Sequence, residues 1–152
     1  MKKIIFLLMS VVSLCLTSCL TSGLDDLPAY EDANITKFFF EYRWFDSKAN
    51  KMQVTQMGVK ATINAEAQTV VCDVTVPKAS STLPESERAK VSEKSLVGYC
   101  NISMAATIAP VSGSPKLGEV QDWSGGEKQY KVKAADGKTE KVWKVSIASF
   151  KK

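Results

Sequence analysis

From residue 34 onward, the apolar residues of this chain recur at every second position. Thr36, Phe38, Phe40, Tyr42 and Trp44 alternate with Lys37, Phe39, Glu41 and Arg43, and Met57, Val59, Ala61 and Ile63 alternate with Gly58, Lys60 and Thr62. Period two sends successive side chains to opposite faces of a strand, so each run predicts a strand with one apolar face. The first of these faces is aromatic. Thr69-Val70-Val71-Cys72-Asp73-Val74-Thr75-Val76 reads as a third strand, stopped by Pro77, which has no N–H to give to a ladder. Residues 99–104 read as a strand, and residues 106–109 as a short extended piece stopped by Pro110. At the end of the chain, Tyr130, Val132 and Ala134 precede Asp136-Gly137, and Val142, Trp143, Val145 and Ile147 follow it. An Asp-Gly pair between two such runs predicts a hairpin, because the favoured turn needs positive φ.

No helix of ordinary length is predicted. Residues 78–95 are polar and carry no apolar stripe, so they read as a mobile surface loop with at most one helical turn at Pro84-Glu85-Ser86-Glu87-Arg88. About seven short strands joined by turns imply an all-β fold, an antiparallel β-sandwich.

The N-terminus has a different character. Lys2 and Lys3 precede an apolar stretch, residues 4–16, that is too short to span a bilayer. Leu16-Thr17-Ser18-Cys19 follows. The arrangement resembles a bacterial lipoprotein signal, which implies cleavage before Cys19 and a lipid on its thiol. The expected organisation is a signal peptide over 1–18, a flexible tether over 19–33 and a β-sandwich domain over 34–150. Each buried CH₂ of an acyl chain contributes ~0.8 kcal/mol, so two or three chains hold such a protein firmly on a membrane. The acidic tether, with Asp25, Asp26, Glu31 and Asp32, also resembles the export signal of lipoproteins that reach the outer face of the outer membrane in the Bacteroidota.

Charge and residue usage exclude several functions. The formal net charge of +4 falls to +2 once Lys2 and Lys3 leave with the signal. No basic cluster with interleaved aromatics is present, so nucleic acid is not an expected partner. The chain contains no His, which removes the commonest general base and the commonest metal ligand. The close carboxylate pairs Asp25/Asp26, Glu31/Asp32 and Glu85/Glu87 lie in segments expected to be solvated, where nothing tunes a catalytic pKa. No Asp-x-Asp-x-Asp-Gly run supports calcium. The expectation is no enzyme, no cofactor and no metal. Cys15 leaves with the signal and Cys19 takes the lipid, which leaves Cys72 and Cys100. Both are in phase with apolar neighbours on separate strands, so they are a disulfide candidate in an oxidising compartment; two buried free thiols are the alternative.

The ordered motifs resemble the Ig-like or cadherin-like modules of Bacteroidota surface lipoproteins. Ile35, Thr36, Phe38 and Phe40 match an opening strand of that family, and Val76-Pro77 a middle one. Residues 107–113 match an alanine-rich piece ending in Pro-x-Ser-Gly, and Asp122-Trp123-Ser124 an Asp-aromatic-Ser piece. Tyr130, Val132, Ala134, Asp136, Gly137, Trp143, Val145 and Ile147 match the closing hairpin. The resemblance implies an Ig-like sandwich on a cell-surface lipoprotein of the outer membrane, with no catalytic residues. Two features depart from it: residues 78–95 are longer than the pattern, and Cys72 and Cys100 are outside it. The expected role is an interaction or structural module with an envelope protein as partner. The alternative is glycan binding within a polysaccharide-utilisation system. Glycan sites use exposed aromatic platforms, for which Trp44, Trp123, Trp143, Tyr42 and Tyr99 are available. Trp143 is in phase with the core, Trp123 sits at a structural position of the family, and Trp44 is the remaining ligand candidate.

Overall fold

The computed structural model describes residues 30–111 and 113–152. The expected signal peptide, lipidation at Cys19 and most of the tether lie outside the described residues. Among the described residues, nine strands form two packed sheets: β1 (Ile35–Asp46), β2 (Lys51–Gln56), β3 (Gly58–Asn64), β4 (Thr69–Thr75), β5 (Leu96–Ile102), β6 (Thr107–Val111), β7 (Val120–Gln121), β8 (Lys128–Lys133) and β9 (Glu140–Lys151). The four-stranded sheet runs β2-β1-β5-β7 and the five-stranded sheet runs β3-β4-β9-β8-β6. All neighbours are antiparallel except β4 and β9, which run parallel. The expected sandwich is therefore present, with two strands more than the sequence suggested, β2 and β7, and with a mixed second sheet.

Alternation builds the core. Phe38 and Phe40 face inward from β1, Val70, Cys72 and Val74 from β4, Tyr130 and Val132 from β8, and Trp143 and Val145 from β9; all are buried. Trp123, just after β7, inserts between the sheets. Its ring lies edge-on to Phe38 and Phe40, with centroids 5.7 and 4.9 Å away, and it stacks on Tyr130 at 6.1 Å. Aromatic pairs in these geometries contribute about 0.5–1.5 kcal/mol each beyond area burial. Gly98 makes room for this ring: a Cβ at that position would fall inside the indole. The Tyr130 hydroxyl donates to the Pro115 carbonyl at 2.7 Å, and the Trp143 indole N–H donates to the Ala33 carbonyl at 2.9 Å. The Asp136-Gly137 hairpin joins β8 to β9 as expected. Gly137 takes φ 69°, and Asp136 accepts from the backbone N–H groups of Lys138 and Thr139.

Several readings are corrected by tertiary structure. A register shift between Ile35 and Lys37 turns Ile35 inward and leaves Thr36 exposed, so the aromatic face starts at Phe38. Residues 99–104 are not one strand. β5 starts three residues earlier at Leu96, and Met104 is 68% exposed in a turn where Ala105 takes φ 56°. Pro110 does not stop its strand but lies within β6, opposite Tyr130; β6 is an edge strand, where a missing N–H breaks no ladder. Ala33, expected in the tether, is fully buried, and Tyr30 accepts a hydrogen bond from the Asp136 N–H at 3.2 Å, so the end of that segment belongs to the folded body.

The largest correction concerns residues 78–95, which are not a mobile loop. Leu83 and Val91 are fully buried. Between them a single helical turn, α1 (Glu85–Arg88), forms where the sequence placed one, and a 3₁₀ turn follows at Glu93–Ser95. The Arg88 guanidinium donates to the Pro77 carbonyl at 2.9 Å, and Leu83 and Ser80 exchange backbone hydrogen bonds. Two apolar residues eight positions apart make no stripe, so periodicity missed them.

Candidate binding site

The two ends of the sandwich differ. At one end the chain enters through Tyr30–Asn34, fixed by the Ala33 and Tyr30 contacts above and by Asn34, whose N–H donates to the Ser103 hydroxyl at 3.0 Å. From there β1 runs for 12 residues. At about 3.3 Å per residue, its hairpin with β2 lies roughly 35–40 Å away at the opposite end.

Exposed apolar side chains collect on this hairpin. Phe45 lies directly across from Met52, and Arg43 from Val54, on the outer face of the four-stranded sheet. Phe45 and Met52 are each 56% exposed and Val54 is 49% exposed. Further along the same face, Phe39 stacks on Tyr99 at 5.1 Å, and the Tyr99 hydroxyl accepts from the Gln56 amide at 3.0 Å. Glu41 is buried beside them and pairs with Arg43, which also donates to the Gly118 carbonyl at 3.0 Å. Val120 on β7, 52% exposed, continues the face at the other edge.

Next to the strip, an open groove of about 330 Å³ runs between the β1–β2 turn and α1. Trp44, Phe45, Asp46, Ser47 and Lys48 line one wall, and Pro84, Ser86 and Glu87 the other. Trp44 is held in place by its indole N–H, which donates to the Thr82 carbonyl at 3.1 Å. Asp46 accepts from the N–H groups of Lys48 and Ala49 at 3.0 and 3.1 Å, which closes the turn; these bonds, the Ala49 one foremost, hold its carboxyl below the usual range. Glu87 pairs with Lys90 at 2.7 Å and accepts from the Tyr42 hydroxyl at 3.3 Å. Burial and the Glu87 charge raise the Tyr42 phenol.

The other sequence candidates are placed elsewhere. Trp143 and Trp123 are core residues, and the Trp123 indole N–H has no hydrogen-bond partner among the described residues. Tyr42 is buried. Glu85 pairs with Arg88 and Glu87 with Lys90, so these two carboxylates serve cations rather than one another. Among the described residues no group of three or more metal-ligating side chains gathers.

Cys72 and Cys100 are free thiols, and the expected disulfide is not formed. They lie on β4 and β5, in opposite sheets, both directed into the core. Burial pushes the Cys72 thiol up to about 12, helped by the Asp73 charge, and the Cys100 thiol up to about 11.

A family model described as DUF5018-related matches residues 35–146. The chain belongs to the DUF5018-related family. A crystal structure of a Bacteroides fragilis protein assigned as secreted is 38% identical to it, with a TM-score of 0.72, over 82% of this chain and 100% of that one. No curated protein matches the chain. The DUF5018-related match takes in the β1–β2 hairpin, α1 and the groove between them, so the candidate site lies within the family domain. The likeness to a Bacteroides protein agrees with the resemblance to Bacteroidota sequences seen in the motifs.

The sequence reading named Trp44 but missed the residues around it. Phe45, Met52 and Val54 carry a readable signal: residues 51–56 alternate Lys-Met-Gln-Val-Thr-Gln, a short strand with two apolar side chains on one face. Pro84, Ser86 and Glu87 carried no such signal, because only the packing of residues 78–95 brings them to the hairpin.

Proposed function

We propose that this protein is a non-catalytic, lipid-anchored module of the cell surface that works by binding, with an envelope protein as its partner. The observation that carries this reading is the strip Phe45, Met52 and Val54, exposed on a sheet face at the end remote from the chain's entry. Contiguous exposed apolar side chains on a small domain mark interaction surfaces. A lipid on Cys19 would hold the entry end near the membrane and turn the strip away from it. The secreted assignment of the Bacteroides relative supports an extracytoplasmic location.

The test is a Met52→Glu/Val54→Glu double variant in living cells, with a photo-crosslinker at Gln56. Both substituted side chains are exposed, so the variant is expected to fold and to fractionate as the parent does while losing its crosslinked product. An unchanged crosslink pattern would remove the strip from the function. A second reading, glycan binding, is favoured by one specific observation: Trp44 lines the groove beside the strip.

A further inference from the structure

We infer that the groove between the β1–β2 turn and α1 binds a neutral oligosaccharide. The inference deepens the glycan reading and rests on it. A sugar ring presents an apolar C–H face and a rim of hydroxyls that both donate and accept. The groove offers both kinds of partner. Phe45, 56% exposed, and Pro84 supply rigid apolar surface, and the Trp44 indole adds an aromatic wall. The Trp44–Thr82 hydrogen bond fixes the indole orientation before any ligand arrives, which lowers the ordering cost of binding. Phe45 has few rotatable bonds and gives contact area at low entropic cost.

The polar groups divide by their existing bonds. Asp46 is engaged by its own turn, and Glu87 by Lys90 and Tyr42. Ser47, Lys48 and Ser86 are the groups at the groove that would serve sugar hydroxyls. Charge gives an anionic ligand no advantage, since Asp46 and Glu87 line the groove with Lys48, and Glu87 already holds Lys90. An uronate or a sulfated sugar would meet two carboxylates and two ammoniums, one of them already paired, and so no surplus of positive charge. An open groove with a mixed lining also suits a hydrated chain passing through it better than an apolar ligand, which favours enclosed apolar walls. Phe45 is shared with the strip, whose Met52, directly across from it, and Val54 lie on the adjoining sheet face.

The experiment uses the full chain purified in detergent and titrated by calorimetry. The probes are neutral cello-, malto-, xylo- and manno-oligosaccharides, with oligogalacturonate as the acidic control. Saturable binding of a neutral probe is expected, together with no binding of oligogalacturonate. Phe45→Ala should weaken that binding by at least about tenfold, roughly the loss of one stacking contact. Ser86→Ala should weaken it less, and Val142→Glu, exposed on β9 of the other sheet, should leave it unchanged. Thermal unfolding of each variant verifies the fold. Failure of every neutral probe, or equal affinity of parent and Phe45→Ala, overturns the proposal. Loss of the crosslink in Met52→Glu/Val54→Glu alongside such a failure would show that the binding module stands and that only the saccharide site has fallen.

Discussion

Gly98 shows how a single residue governs the core. It lies on β5 facing inward, and the space a side chain would take is filled by the Trp123 indole. That ring cannot retreat, because Phe38, Phe40 and Tyr130 surround it. Gly98→Ala is therefore an overpacking change, expected to destabilise the domain by about 1–3 kcal/mol in urea denaturation. A smaller effect than Gly113→Ala, where a Cβ meets open space but the backbone sits at φ 73°, would show that the core yields at this point. Cys72 and Cys100 make a second prediction at this scale. The thiolate is the reactive form, and burial holds both thiols protonated, up to about 12 and about 11. Non-reduced native protein is expected to keep both thiols and to resist alkylation at pH 8. Full labelling at both should appear only in denaturant, read by mass spectrometry. A product lacking both thiols would mean that Cys72 and Cys100 pair in the native protein.

Among the elements, the segment from Pro77 to β5 departs most from its sequence. Its composition is that of a solvated loop, yet Leu83 and Val91 plug the end of the sandwich. Leu83→Ala should cost about 2–5 kcal/mol, the range for a fully buried leucine, measured by chemical denaturation. The same change should also loosen one wall of the groove, since Pro84 follows directly. A cost below about 0.5 kcal/mol, the ordinary size of a surface substitution, would restore the mobile-loop reading. The β1–β2 hairpin shows the reverse case. Its strand pattern is regular, but half of that pattern points to solvent. The apolar residues at Phe45, Met52 and Val54 leave the hairpin stabilised by backbone pairing and by the Asp46 turn rather than by burial, which frees those side chains for contact with another molecule.

For the whole molecule, the placement of its two ends matters most. The chain enters at Tyr30–Asn34, and the strip and groove lie at the far end of β1. If Cys19 carries a lipid, the site is presented away from the membrane by the length of the sandwich. Cys19→Ala is expected to release the protein from the membrane fraction or to leave it uncleaved, read by fractionation and by intact mass. A variant that is processed normally and stays with membranes would show that anchoring does not use this thiol.

Local physics was enough for much of this protein. Alternation of side chains along a strand needs no tertiary information, so the runs at Phe38–Tyr42, Val70–Val74 and Tyr130–Val132 announced the core faces, and Asp136-Gly137 announced its hairpin. Trp143 was legible as core for the same reason, being in phase with Val145. Trp44 was legible only as the remaining aromatic. What the sequence did not carry are the features that depend on how distant segments meet. The bulge at Ile35–Lys37 shifts a face by one residue because β5 pairs with β1 in that register. The parallel pairing of β4 with β9 joins residues some 75 positions apart and leaves no local signature. Whether Cys72 and Cys100 meet depends on where β4 and β5 sit across the core, which phase along a strand cannot report. The groove, too, is tertiary: Leu83 and Val91 bury for want of any other cover over that end of the core, and in doing so they bring Pro84, Ser86 and Glu87 against Trp44 and Phe45.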